Sequence, residues 1–294
     1  MKRDITAKDS SSMFVIGFLL CQSLVLIANI IAIIIYSTQG IDISTVEMFF
    51  NSAVGYLICS IMLNLGMSLC YIYGKRHYNS STPSKVSWKK CLIYAAIGLS
   101  SFLVLYPIIS CIDFALISWG INYPTITYEY TTTNYIISLF SLVLFPAVCE
   151  ELLFRGLIFS GLRKYSKWLS IILSSIMFAI FHMSIYQSIY PLLFGILLSS
   201  IMYRENNIIY CIIAHAINNF TSLTLSYLNV SLIFNHWTYI LLAVVLCSVW
   251  LYVVIRSINK IHSTKSSLTK SEITYIITSL AIMTILWIIT ISIN

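Results

Sequence analysis

The chain has 294 residues, of which 59% are hydrophobic and only 9% are charged. An ordinary soluble domain carries about 25% charged residues, because its surface must meet water. The composition therefore excludes an ordinary soluble protein and indicates an integral membrane protein, with which the mean hydropathy of +0.90 agrees.

Nine apolar segments are candidate membrane spans, and each is expected to be helical because a helix satisfies its own backbone hydrogen bonds in lipid. The alternating strands of a membrane barrel are absent from the sequence. The fifth and sixth segments are short and nearly contiguous, so we expect a tight helical pair that does not fully cross. The sequence thus predicts an all-α, polytopic bundle of eight or nine transmembrane helices. The segments are 13–36, 47–73, 91–119, 135–160, 168–184, 188–203, 207–229, 237–255 and 273–293.

A single membrane domain is predicted, because no loop between the spans is long enough to fold separately. We divide it into N-terminal transmembrane helices (1–134), a core of four helices that carries the ionisable residues (135–229) and C-terminal transmembrane helices (230–294).

Basic residues define the expected orientation. Of the 17 Lys and Arg residues, 16 lie before the first span or in every second connection between spans, which a nine-span arrangement places on the same side of the membrane. The positive-inside rule then places the N-terminus in the cytoplasm of a multi-pass protein of the cell membrane. The net charge of +7 is accounted for by this topology, so lipid is an expected partner and nucleic acid is not. The basic residues are Lys2, Arg3, Lys8, Lys75, Arg76, Lys85, Lys89, Lys90, Arg163, Lys164, Lys167, Arg204, Arg256, Lys260, Lys265 and Lys270.

The fourth span contains two adjacent glutamates and an arginine, which are expensive inside a membrane and therefore functional candidates. Glu151 and Arg155 are four residues apart, so they share one helix face and are expected to pair. Glu150 is turned about 100° away and has no cation at helical spacing. Pro146 should bend this helix and leave an unbonded carbonyl near Glu150.

Two further spans bring histidines toward the same region. His182 follows Phe178 by four residues on the fifth span, and His215 precedes Asn219 by four residues on the seventh. Counting about 1.5 Å per residue from the cytoplasmic ends places Glu150 and His215 at similar depth, with His182 somewhat deeper. One carboxylate and two imidazoles could therefore converge in a polar pocket.

Each of these residues also has a structural interpretation. A structural ion pair is favoured over a catalytic role for Glu151 and Arg155, and packing is favoured for Phe178. Membrane histidines and Asn219 could simply form hydrogen bonds between helices. Three spans carry ionisable residues while the others are nearly free of them, however, and this combination favours a functional site.

The three motifs together resemble the CPBP intramembrane proteases, also called the Abi or CAAX-protease and bacteriocin-processing family. The family pattern is EExxxR, FxxxH and HxxxN on successive helices, and all three pieces occur here in order over about 70 residues. The matching pieces are Glu150-Glu151 with Arg155, Phe178 with His182, and His215 with Asn219.

The resemblance implies a glutamate-dependent endopeptidase acting on a small peptide or a protein tail near the cytoplasmic face. Glu150 would be the general base for a water that it holds jointly with His182. His215 and Asn219 would donate hydrogen bonds to the oxyanion. Supporting roles fall to the remaining motif residues, which are Glu151, Arg155 and Phe178.

Several alternatives remain open from the sequence. One Glu and two His could bind zinc, but HExxH is absent, so we expect neither a metal nor another cofactor. A thiol nucleophile at Cys149 is less favoured, because no neighbouring cation is evident. A non-catalytic immunity or binding protein, with a partner peptide in the same pocket, and a transporter are the competing functions. The GxGD motif of aspartyl intramembrane proteases is absent.

Overall fold

A computed structural model of the chain describes residues 2–79, 84–118, 131–184, 186–228, 237–260 and 266–293. The described chain is almost wholly helical, which confirms the all-α class. Five helices, α1, α3, α4, α5 and α8 as defined here, are long and apolar enough to cross a membrane, so the polytopic bundle is confirmed, while the count of eight or nine spans stays a prediction. The helices are α1 (Ala7–Thr38), α2 (Ile43–Phe50), α3 (Ala53–His77), α4 (Trp88–Ser118), α5 (Thr132–Leu162), α6 (Lys167–Phe181), α7 (Tyr186–Glu205), α8 (Ile208–Tyr227), α9 (Trp237–Asn259) and α10 (Lys270–Ile293).

The second predicted span is interrupted in the structure, where it is divided between α2 and α3. Ser52 begins α3 as its N-cap, and its hydroxyl accepts a hydrogen bond from the backbone N–H of Gly55 at 3.2 Å. A Cβ at Gly55 would lie 2.3 Å from the carbonyl oxygen of Phe49, so the tight turn requires a glycine. Hydropathy alone missed this break, because the residues on both sides of it are apolar.

The basic segments gather at one end of the bundle, as a chain that crosses repeatedly requires. Two short strands that the sequence did not predict, β1 (Arg3–Asp4) and β2 (Tyr78–Asn79), pair there in parallel. The side of the membrane on which this end lies stays a prediction. Further contacts between these segments include Lys164–Asp4, Asn207–Ser84, Lys167–Asn259 and Arg204–Ser257.

Helices α6 and α7 form the tight pair that the sequence predicts. Helix α6 has 15 residues and is therefore about 22 Å long, which is less than the roughly 30 Å of a hydrocarbon core. A Cβ at Gly195 of α7 would lie 3.3 Å from the Cα of Ser175, so a small residue permits the close approach of the two helices. The N-terminal residues of α7 include Gln187, whose side chain lies outside the description.

Candidate active site

Helix α5 carries both glutamates between two wide, π-helical segments. The segments are Leu139–Leu144 and Leu152–Ile158, and the α-helical stretch Phe145–Glu151 lies between them. In a π-helical turn the hydrogen bonds run from i to i+5, and such turns occur frequently at functional sites. The local backbone thus already distinguishes the glutamate region from the rest of the helix.

The ion pair between Glu151 and Arg155 is present, as their spacing predicts. Their closest atoms are 2.9 Å apart, and neither side chain has any exposed surface. Arg155 also donates to the carbonyl oxygen of Gly195 at 3.3 Å, and its guanidinium carbon lies 4.4 Å from the centre of the Phe178 ring. Pairing, a backbone acceptor and a cation–π contact together compensate for burying this charge.

His215 lies between the two glutamates and is only 4% exposed. Its Nδ1 is 3.0 Å from Oε1 of Glu151, and its Nε2 is 3.9 Å from Oε2 of Glu150. Because an ionised carboxylate can only accept hydrogen bonds, Nδ1 donates to Glu151. The ring therefore presents Nε2 to Glu150.

The predicted oxyanion role requires Nε2 of His215 to donate a hydrogen bond. Because Nδ1 already donates to Glu151, both ring nitrogens can donate only in the doubly protonated imidazole.

The ring of Phe178 packs against the rings of both histidines. Its buried ring meets the rings of His182 and His215 edge to face, at centroid distances of 5.0 and 6.1 Å. Nδ1 of His182 lies 2.8 Å from the carbonyl oxygen of Phe178. This carbonyl fixes the proton on Nδ1 and leaves Nε2 of a neutral His182 as an acceptor.

The structure brings Glu150 close to His215. His182 contacts the Phe178 ring, which in turn contacts His215. Within the described part of the chain, no hydrogen bond or ion pair joins His182 to either glutamate. The convergence of Glu150 and His182 on a shared water therefore stays a prediction.

Asn219 donates a hydrogen bond to the backbone carbonyl that the sequence predicts to lack a partner within its helix. Its Nδ2 donates to the carbonyl oxygen of Leu142 at 3.0 Å. Leu142 lies four residues before Pro146, which has no N–H to offer it. The interhelical bond foreseen as a structural alternative thus exists, while the second N–H of the Asn219 amide remains available for the predicted oxyanion role.

Sequence reasoning missed two neighbours of the site on α7. Phe194 stands edge to face with His215 at a centroid distance of 5.7 Å, and Gly195 supplies the carbonyl that accepts from Arg155. A glycine inside an apolar helix is a recognisable sign of close helix packing. No comparable signal singles out one phenylalanine among the 15 in the chain.

A zinc site at the glutamate and the two histidines stays an alternative that the sequence leaves open. Among the described residues, no group of three or more His, Cys, Asp and Glu side chains is arranged to hold a metal ion. Chemistry without a metal stays a prediction.

Cys149, the alternative nucleophile, is bonded through its Sγ to the hydroxyl of Ser68, which donates to it at 3.4 Å. In the described structure no histidine forms a hydrogen bond with this thiol. A base for thiolate formation is therefore not positioned at Cys149.

A comparison with known protein families finds a match in the same region of the chain. Residues 132–221 match the family model described as Rce1-like, type II CAAX prenyl endopeptidase. The matched segment contains all three motifs, and it confirms the resemblance to the CPBP and CAAX proteases. No curated protein and no solved structure matches the chain.

Proposed function

We propose that the chain is an intramembrane, glutamate-dependent endopeptidase that cleaves a small peptide or a protein tail near the cytoplasmic face. The observation that carries the proposal is the approach of Glu150 to His215, at 3.9 Å, inside the segment that matches an endopeptidase family. Glu150 forms no ion pair with Lys or Arg in the described structure, and we assign to its carboxylate the role of proton acceptor.

Glu150 acts as the general base in the proposed reaction. Its side chain is 17% exposed, whereas Glu151 is fully enclosed, so we assign the reaction with water to Glu150. A water held by Glu150 and Nε2 of His182 transfers a proton to Glu150, and its oxygen attacks the scissile carbonyl carbon. The same proton then passes from Glu150 to the nitrogen of the leaving amine when the C–N bond breaks.

His215 and Asn219 stabilise the oxyanion that forms when the carbonyl is attacked. The doubly protonated imidazole donates from Nε2, and the Asn219 amide donates its second N–H. Removing one such donor slows an enzyme by about 10²-fold to 10³-fold. Glu151 holds the orientation of His215, and Arg155 holds Glu151.

The substrate in this proposal is an extended peptide rather than a prenyl group as such. The matched family is described by prenylated CAAX tails. A leader of a bacteriocin or of a signalling pheromone offers the same peptide bond without the lipid. In a bacterium, where prenylated tails are not expected, such a leader is the substrate that we propose for this chain.

Mass spectrometry of peptide products tests the proposal. The purified protein in lipid nanodiscs is incubated with prenylated CAAX peptides and with bacteriocin-type and pheromone-type leader peptides. The intact protein should release two products whose masses sum to that of the peptide plus one water, and Glu150→Ala should release none. Tight peptide binding without products from the intact protein would instead favour the immunity or binding function.

A further inference from the structure

Two backbone carbonyls of α5 lie one turn before Pro146, and each accepts a hydrogen bond from a side chain of another helix. Pro146 has no N–H, so it cannot donate to the carbonyl of Leu142, four residues before it, or to that of Ser141, five residues before it. The hydroxyl of Ser60 in α3 donates to the carbonyl oxygen of Ser141 at 2.6 Å. Asn219 in α8 donates to that of Leu142 at 3.0 Å. The helix is therefore held from two sides at its proline.

Asn64 stands behind Ser60 and sets the direction of its hydrogen bond. Nδ2 of Asn64 donates to the backbone carbonyl of Ser60 at 2.7 Å and to its hydroxyl oxygen at 3.1 Å. Because a carbonyl oxygen only accepts, the amide cannot be turned round. The hydroxyl of Ser60 accepts a hydrogen bond from Asn64 and donates its own proton to the Ser141 carbonyl. The hydrogen bonds therefore run in one direction through three buried residues.

The placement of Asn64 carries an energetic penalty. Its Oδ1 is buried without a hydrogen-bond partner among the described residues. An unpaired buried acceptor is costly, and an apolar side chain at this position would avoid that cost. We therefore attribute the role of Asn64 to the hydrogen bonds that its Nδ2 donates to Ser60.

The same face of α3 follows α5 as far as the glutamates. Ser60, Asn64 and Ser68 are spaced by four residues and share one face of α3. Ser60 meets α5 at Ser141, and Ser68 meets it at Cys149, next to Glu150. The polar face of α3 therefore spans the stretch of α5 that contains both the proline and the catalytic carboxylate.

We propose that Ser60 and Asn64 are positioning residues that, together with Asn219, clamp α5 at Pro146 and hold Glu150 beside His215. Glu150 follows Pro146 by one helical turn, so a shift at the carbonyls of Ser141 and Leu142 is transmitted directly to it. The inference about turnover rests on the endopeptidase function proposed above, whereas the inference about backbone position does not.

Hydrogen–deuterium exchange of the intact protein in nanodiscs tests the clamp without any substrate. Ser60→Ala and Asn64→Ala should increase the exchange rate of amides in residues 139–151 by at least threefold. Ser60→Thr, which retains the hydroxyl, should leave that rate unchanged. Ser101→Ala and Asn29→Ala are matched controls, because both side chains bond only to the carbonyl four residues earlier in their own helices. Unchanged exchange in both test variants would overturn the clamp.

Turnover tests the consequence for Glu150 in the same variants. Misplacing a catalytic group costs up to about 10²-fold in rate, so Ser60→Ala and Asn64→Ala should lower kcat by about 10-fold to 10²-fold with KM within twofold. The double variant should be no slower than Ser60→Ala alone, because the two residues act in series. A loss confined to the unfolding temperature, with kcat unchanged, would show ordinary stabilisation and overturn the positioning role. If the wild type cleaves no peptide but the exchange rates rise as expected, the clamp stands and the endopeptidase function fails.

Discussion

His215 and Glu151 are joined by a hydrogen bond of 3.0 Å that connects α8 to α5 inside the bundle, and both side chains are buried. The bond positions the histidine ring against Glu151, whose carboxylate also pairs with the adjacent Arg155. Glu150 is the more exposed of the two carboxylates. These contacts support the proposed division of roles between the two neighbouring glutamates.

Removing the arginine of the buried pair should destabilise the protein strongly. Arg155→Ala leaves Glu151 buried without its arginine partner, and breaking a buried ion pair in this way costs about 3–5 kcal/mol in the free energy of unfolding. Thermal unfolding in detergent measures the loss, with the exposed Arg256→Ala as the control. A decrease no larger than that of Arg256→Ala would contradict the structural role of the pair. Adding Glu151→Gln to Arg155→Ala should recover part of the stability.

Asn219→Ala should reduce turnover far more than substrate binding. We expect kcat to fall by about 10²-fold to 10³-fold, since the variant lacks an oxyanion donor. Thr221→Ala is the control on the same helix, because its hydroxyl bonds only to the Ile217 carbonyl. Combined with His215→Ala, the loss should be smaller than the product of the single effects, as both residues serve one charge. A full multiplicative loss would assign the two residues to separate steps.

Chelators should leave activity intact, because in the proposed reaction side chains alone activate the water and hold the oxyanion. Elemental analysis of the purified protein, before and after dialysis against a chelator, should find no stoichiometric zinc. A content of about one zinc per chain, lost in both His182→Ala and His215→Ala and coupled to reversible inactivation, would contradict a metal-free mechanism.

The basic end of the bundle should face the cytoplasm. In a variant without native cysteines, single cysteines at Lys89 and Lys260 should be shielded from an impermeant thiol reagent added to intact cells. A cysteine at Thr45, in the short helix at the opposite end of α1, should react. The reverse pattern would overturn the orientation and with it the cytoplasmic-side active site.

Helix positions and the Glu151–Arg155 pair could be predicted from the sequence, because hydropathy and a spacing of four residues are local properties. Each of the nine predicted segments overlaps a described helix, and the described residues that are not helical are 51–52 in the second segment and a few residues at the ends of the fifth and seventh. The break at Ser52 could not be foreseen from hydropathy, since it depends on a single capping hydroxyl within an apolar run.

The approach of Glu150 to His215 was also foreseeable, because depth along a helix can be counted. The direction of the His182 ring could not be foreseen, since its hydrogen bond to the Phe178 carbonyl depends on which side-chain rotamer the histidine adopts. The two π-helical segments were equally hidden, as a one-residue change of hydrogen-bonding register leaves no mark in an apolar sequence. The contact of Ser60 with Ser141 joins residues 81 positions apart and depends on how α3 packs against α5.

Replacement of Glu150 by glutamine is the most direct test of the central claim, because it removes one charge and almost no volume. Single-turnover cleavage of a peptide that the wild type hydrolyses is compared between Glu150→Gln and Glu47→Gln, an exposed control. The account predicts that Glu150→Gln abolishes product formation while membrane insertion, folding yield and unfolding temperature match the wild type. Cleavage by Glu150→Gln at the wild-type rate, or a folding yield that falls as much as the activity, would contradict Glu150 as the catalytic base.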